Sequence, residues 1–164
     1  MNKPVIHLKK TKTDFFLGIL TVVLLVCFWG ISIFYYPSLA DEIPIHFDYK
    51  GEVDNYANKE TIFLLPLIGT ILVGFLTLVS KNPETFNYSV EITEENAERQ
   101  YGNALLMMKT MRLVILFVFM LIEWEVIQIG LGKSKGLGAW FLPFFLAVVF
   151  VPIIYFVIRS KKLK

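Results

Sequence analysis

A chain of 164 residues with one cysteine and two histidines has little from which to build a thiol or imidazole centre. Cys27 has no partner in the chain, which excludes an internal disulfide and a cysteine-based zinc site. His7 and His46 are the only imidazoles, no HExxH run occurs, and no Ser/His/Asp grouping can be inferred, so neither metalloprotease nor triad chemistry finds support. No enzymatic activity and no cofactor are expected. Charged side chains are also few: Asp, Glu, Lys and Arg make up 18% of the chain against 55% hydrophobic residues, and mean hydropathy is +0.60. A soluble domain of this length needs a polar face on most of its elements, so this balance points to lipid.

The places where charge is missing are more informative. Four stretches, 15–36, 61–80, 113–132 and 137–158, carry little or none. Each is about 20 residues long, enough for a helix to cross a hydrocarbon core of roughly 30 Å. In lipid the backbone must satisfy its own hydrogen bonds, and none of the four alternates as a barrel strand would, so helices are expected. The predicted fold is an all-α integral membrane domain of four transmembrane helices spanning residues 1–164. The first run, with Ser38, Leu39 and Ala40 after it, mimics a secretory signal. It exceeds the usual apolar region of about 7–15 residues, so a retained anchor is expected.

Lys and Arg set the expected orientation. Lys3, Lys9, Lys10 and Lys12 precede the first span, Lys81, Arg99, Lys109 and Arg112 follow the second, and Arg159, Lys161, Lys162 and Lys164 close the chain. Twelve of the 16 basic residues thus fall on one side, against Lys50, Lys59, Lys133 and Lys135. The positive-inside rule then places both termini in the cytoplasm and loop 37–60 outside. The net charge of +2 comes from residues flanking the membrane, and no nucleic-acid partner is expected.

Loop 37–60 is acidic, with Asp41, Glu42, Asp48, Glu52, Asp54 and Glu60 among Ile43, Ile45, Phe47 and Val53. Ile43, Ile45 and Phe47 alternate, and Asp48-Tyr49-Lys50-Gly51 suits a turn, so a small ordered outer cap is predicted. In loop 81–112, Phe86, Tyr88, Val90 and Ile92 alternate with polar residues, which predicts an extended segment that pairs with itself in a dimer or skims the headgroups. Thr93 then has the character of a helix N-cap, followed by Glu94 and Glu95. Ala97, Tyr101, Ala104, Leu105, Met108 and Met111 recur at helical spacing and run into the third span without a breaker. A single long helix is predicted, its stripe packing on neighbours or docking a cytoplasmic partner. In the second span Thr70, Gly74 and Thr77 form a stripe of small residues suited to helix contact.

"GLGKS" at 130–134 invites a nucleotide reading. A phosphate loop requires a glycine at 127, where Ile127 stands, together with a preceding strand and a cytosolic location. A tight turn between the third and fourth helices is the better account. "LIEWEVIQ" places Glu123 near mid-membrane, with Glu125 and Gln128 following. An ionised carboxylate at that depth costs at least roughly 2.5–3.5 kcal/mol, so it pairs, protonates or faces water. At 100° per residue the two carboxyls point about 200° apart on a straight helix. They suit a proton or cation pathway, the floor of an outward cavity, or hydrogen-bonded glue between helices or protomers. His46 lies near Asp48, Glu52 and Asp54, but the spacing fits no calcium or zinc loop, and no metal is expected.

The string "LADEIPIHFDYKGEVDNYANKE" resembles a bacterial membrane domain of unknown function. That family has an Ile-Pro-x-His-Phe, then a Gly, an Asp and a Lys ahead of the next span, matched here by Ile43, Pro44, His46, Phe47, Gly51, Asp54 and Lys59. The same domain forms the N-terminal region of immunity proteins against sporulation-delaying toxin, and "NPETFNYSVEITEENAERQY" is similar to the family's cytoplasmic loop. Those immunity proteins continue into further C-terminal helices, whereas this chain reaches only Lys164. The resemblance implies a bacterial cytoplasmic membrane and an outward-facing binding, sensing or immunity-like module. An extracytoplasmic peptide or cation would meet Asp41, Glu42, His46, Asp48, Glu52, Asp54 and Lys59, and a cytoplasmic regulator would receive the signal. The alternatives are a transporter or channel subunit using Glu123 and Glu125, and a membrane scaffold. Within the loop, His46, Asp54 and Lys59 are expected to form a polar framework, with Lys59 bonded to Asp54 or a loop carbonyl. Ile45 and Phe47 are expected to plug onto the helix ends.

Overall fold

The computed structural model describes residues 3–164. Its helices are α1 (Lys12–Tyr35), α2 (Leu64–Val79), α3 (Ala97–Gly130) and α4 (Phe141–Lys162), and β1 (Glu42–Phe47) pairs antiparallel with β2 (Val53–Asn58) between α1 and α2. With the 3₁₀ turns that extend α1 and α2, all four are long and apolar enough to cross a membrane. Many large apolar side chains stand exposed along them, among them Phe15, Phe34, Ile71 and Phe150. Lipid, and not water, is the solvent that tolerates such a surface.

The helix ends depart from the apolar runs for local reasons. α1 begins before Phe15 because the Thr11 hydroxyl accepts from Asp14 N–H at 3.2 Å while the Asp14 carboxylate accepts from Thr11 N–H at 2.8 Å, a reciprocal capping box. α2 begins at Leu64 after a 3₁₀ turn over Lys59–Phe63, and Pro66 sits in its first turn, where no backbone donor is needed. α3 has 34 residues and is about 51 Å long at 1.5 Å per residue, so it projects beyond any bilayer core, as the unbroken stripe predicted. Its N-cap is Asn96 and not Thr93. The Asn96 side chain accepts from Thr93 N–H and donates to Glu91 O, which holds Glu94 and Glu95 in a turn ahead of the helix. α4 starts at Phe141, four residues later than its apolar run, because the preceding residues are bonded to the hairpin.

α3 is the central element, packing on α1, α2 and α4. One core cluster, Phe28, Val73 and Leu116, lies where α1, α2 and α3 meet, and a second, including Leu39, Ile43, Ile62, Val126 and Ile127, lies under the hairpin. The buried face of α2 carries Pro66, Gly69 and Val73, not the expected small-residue stripe. At Gly69 a Cβ would already touch Leu116, Phe28 and Phe119 at 3.4–3.6 Å, whereas Gly74 has nothing within 4 Å. Thr70 and Thr77 instead accept hydrogen bonds from Trp29 and Arg112.

At the end holding the termini, Phe86, Tyr88, Val90 and Ile92 are half-buried and alternate with exposed residues, as predicted, but they join no strand. The segment folds back on its own chain. The Tyr88 ring packs at a tilt 5.6 Å from that of Tyr101, and its hydroxyl donates to Pro83 O at 2.8 Å. Burial pushes the Tyr88 phenol above the usual tyrosine range. The stripe residues Ala97, Tyr101 and Ala104 are buried within the chain, which removes them as a docking face. Beside them, Gln100 Nε2 donates to Ser160 O at 2.9 Å and Leu163 O at 3.1 Å, and Ser160 Oγ donates to Gln100 Oε1 at 2.7 Å. Asn103 Nδ2 donates to Phe156 O at 3.0 Å. These bonds clasp the last turns of α4 to the projecting part of α3.

Candidate ligand cleft beneath the hairpin

The hairpin turn is closed by the acid at its head. Asp48 Oδ1 accepts from Lys50 N–H at 2.8 Å and Glu52 N–H at 2.9 Å, while Gly51 N–H donates to Asp48 O at 2.9 Å. Gly51 completes the turn at φ +77°, a conformation that a side chain resists. Gly51 also lies directly against the α3–α4 loop. Its carbonyl accepts from Gly138 N–H at 3.4 Å, and Glu52 forms a bridge with Gly136. The glycines of the 130–138 stretch therefore serve this backbone-to-backbone contact as well as the turn itself, where Gly132 has φ +69° and Gly138 φ +76°.

Strand register explains which side chains turn inward. Ile43 pairs with Ala57 and Pro44 with Tyr56, but His46 then pairs with Asn55 and Phe47 with Val53, so Ile45 and Asp54 are each skipped. The two irregularities cancel in register and break the simple alternation. Ile43 is buried and Phe47 packs on the core beneath, whereas Ile45 remains 45% exposed and only borders the cleft. Ile45 is thus not the plug expected of it.

The polar loop residues separate into several small groups. His46 Nδ1 lies 2.6 Å from Asp54 Oδ1 with both side chains exposed. Lys59 reaches Asp41, not Asp54: its ammonium lies 3.4 Å from Asp41 Oδ1 and its backbone N–H donates to Asp41 O at 2.9 Å. The proximity of Asp41 follows from the ladder, which closes with Glu42 opposite Asn58. The Lys59 ammonium also sits 5.6 Å from the Tyr36 ring centre, and Tyr36 donates to Glu60 at 3.2 Å. Asp48 is committed to the turn, leaving Glu42 and Glu52 as exposed hairpin acids without a side-chain partner among the described residues. Among the described residues, no three His, Cys, Asp or Glu side chains come together as a metal site.

The two intramembrane acids also part company. Glu123 is 1% exposed and accepts from Ser32 Oγ of α1 at 2.5 Å. It lies seven residues, about 10 Å along the axis, below the last residue of α3. Glu125 accepts from the Ser134 hydroxyl in the α3–α4 loop, so it belongs to the hairpin end of the molecule. Gln128 contributes its backbone carbonyl, which accepts from Lys133 N–H at 2.8 Å. Ser32 is the residue that sequence reasoning passed over. Its only signal was a hydroxyl in the apolar, hairpin-end half of α1.

Beneath the hairpin, α2, α3 and the start of α4 enclose a cleft of about 520 Å³. Phe47 and Ile45 border its roof, Ile68 lies on the α2 wall, Phe141 and Phe145 lie on the α4 wall, and Glu123 and Ile122 line the α3 side. The lining is overwhelmingly apolar, with Glu123 on one wall and His46, Asp48, Tyr49 and Thr61 as the other side chains that carry polar atoms. Such a cleft can bury an apolar group while a few polar groups orient it.

Residues 23–70 match the family model of a domain of unknown function (DUF1648). The matched stretch carries Ser32, the whole hairpin and the α2 wall, whereas Glu123 and the α4 wall lie outside it. No curated protein and no solved structure matches the chain.

Proposed function

We propose that this protein is an outward-facing binding and sensing module of the bacterial cytoplasmic membrane. Its cleft takes the apolar part of a peptide or amphiphile arriving from outside. The observation that carries this reading is the apolar cleft roofed by the hairpin, with Glu123 reaching it from α3. The excess of basic residues at the opposite end supports an outward-facing hairpin. Glu42 and Glu52, exposed on the hairpin, favour a ligand with a cationic end. The likeness of the hairpin to immunity proteins against sporulation-delaying toxin supports a protective or signalling role. The carboxyls of Glu123 and Glu125 bond to separate elements, α1 and the α3–α4 loop, which favours this reading over a shared ion pathway.

A photo-crosslinking side chain placed at Ile68 or at Leu142, on opposite walls, tests the reading in intact cells. Both positions should capture the same cationic apolar molecule, and Phe150, on the exposed surface of α4, should not. Capture of bulk phospholipid alone, at equal levels from all three positions, would refute it.

A further inference from the structure

A second cleft, of about 1090 Å³, lies beside the start of α1 at the terminal end of the molecule. We propose that it is a binding site for an anionic phospholipid of the leaflet at that end, the cytoplasmic leaflet in the orientation argued above. Four cations line it, Lys10, Lys12, Lys109 and Arg112, against the single carboxylate of Asp14. That carboxylate is already committed, since it pairs with Lys109 and caps α1. Arg112 is half-buried, and its Nη1 donates to Thr77 Oγ1 at 2.8 Å. Among the described residues its Nε, fully shielded by protein, has no acceptor, and no carboxylate pairs with the guanidinium.

Arg112 lies one turn further along α3 than Lys109, about 4.5 Å closer to the middle of the helix. The guanidinium, which lines the cleft, therefore sits toward the boundary between headgroups and acyl chains, where water is scarce. A phosphate oxygen answers a guanidinium's fork in a way that a hydrated counterion does not. The occupant is a lipid and not free phosphate, because the same cleft continues along α1 over Phe15, Ile19, Val22 and Val23. Those four residues recur at helical spacing, are 48–72% exposed, and run about 12 Å inward from the cationic mouth. The headgroup meets the cations while an acyl chain follows the stripe. Basic pockets between helices on the cytoplasmic side are suited to such lipids.

The test is native mass spectrometry of the full-length protein in detergent, titrated with phosphatidylglycerol, phosphatidylcholine or water-soluble glycerol phosphate. The wild type should retain one phosphatidylglycerol in preference to phosphatidylcholine, and glycerol phosphate should not displace it. Arg112→Gln should weaken retention about five- to tenfold. Arg112→Lys keeps the charge but removes the planar fork of the guanidinium, and should lose part of the preference, which provides a reading if Arg112→Gln fails to fold. Lys161→Gln with Lys162→Gln, at the same end but outside the cleft, should change nothing. Equal retention of both lipids, displacement by glycerol phosphate, or equal losses from the Arg112 and Lys161/Lys162 variants would overturn the proposal.

Discussion

Replacing Gly51 with alanine should unseat the hairpin from the α3–α4 loop. Gly51 has φ +77°, and an L side chain in that conformation costs about 1–2 kcal/mol. The added Cβ would also stand 2.6 Å from both N and O of Gly138 and 2.9 Å from its carbonyl carbon. These are main-chain atoms, so no rotamer change relieves the clash. Overpacking of this kind costs about 1–3 kcal/mol, bringing the expected loss for Gly51→Ala to about 2–5 kcal/mol. Gly132 isolates the first contribution, because it has φ +69° and nothing within 4 Å of the Cβ position. Gly132→Ala should therefore cost only about 1–2 kcal/mol. Chemical unfolding of wild type and the two variants in one mixed-micelle system, followed by helical circular dichroism, measures the difference. If Gly51→Ala loses no more stability than Gly132→Ala, the close docking of hairpin on loop is refuted.

Ser32→Ala should destabilise the fold by about 1–3 kcal/mol in the same unfolding assay, since it leaves the Glu123 carboxyl buried without its partner. Glu123→Gln combined with Glu125→Gln should still assemble, because an amide can bond to Ser32 and Ser134 in place of each carboxyl. A double variant that fails to assemble, beside a Ser32→Ala that behaves as wild type, would mean that charge and not hydrogen bonding is what Glu123 or Glu125 supplies. For topology, an impermeant thiol reagent on intact cells should label Asp48→Cys and Lys133→Cys in a Cys27→Ser background. Glu94→Cys should stay unlabelled until the membrane is opened, and labelling from outside would reverse the orientation.

The four helices were readable because a run of about 20 residues almost free of charge suits a helix in lipid and little else. Their ends were less readable, because an apolar residue does not announce whether it faces lipid or plugs a loop. Leu137 belongs to an apolar run, yet it is 8% exposed and lies ahead of α4, beside the hairpin contact. The hairpin followed from alternation and a turn sequence, while the skipped positions Ile45 and Asp54 depend on how the two strands meet and leave no local mark. The same limit governed the candidate site. Glu123 stood out because a carboxyl in an apolar run is costly wherever it lies. Ser32, 91 positions away, carries no local feature that selects Glu123 as its partner. Lys59 had several acids within reach in sequence, and the closing register of the ladder decided for Asp41.

The clasp between Gln100, Asn103 and the end of α4 has a mechanical consequence. Four hydrogen bonds tie the amides and Ser160 across the helix pair, three of them to main-chain carbonyls, two within α4 and one, Leu163 O, just past its end. A slide of α4 along α3 by even one residue, about 1.5 Å, would misalign all of them together. Above the clasp, α4 carries a half-buried stripe of Phe144, Val148, Val149, Pro152 and Ile153, whose apolar contacts have no preferred direction. The clasp therefore resists axial slip of α4 far more strongly than the apolar stripe does. Whatever enters the cleft meets α4 at its other end, at Phe141 and Phe145, just past the Gly138 bond to Gly51, so a push on that wall loads the hairpin contact before it loads the clasp.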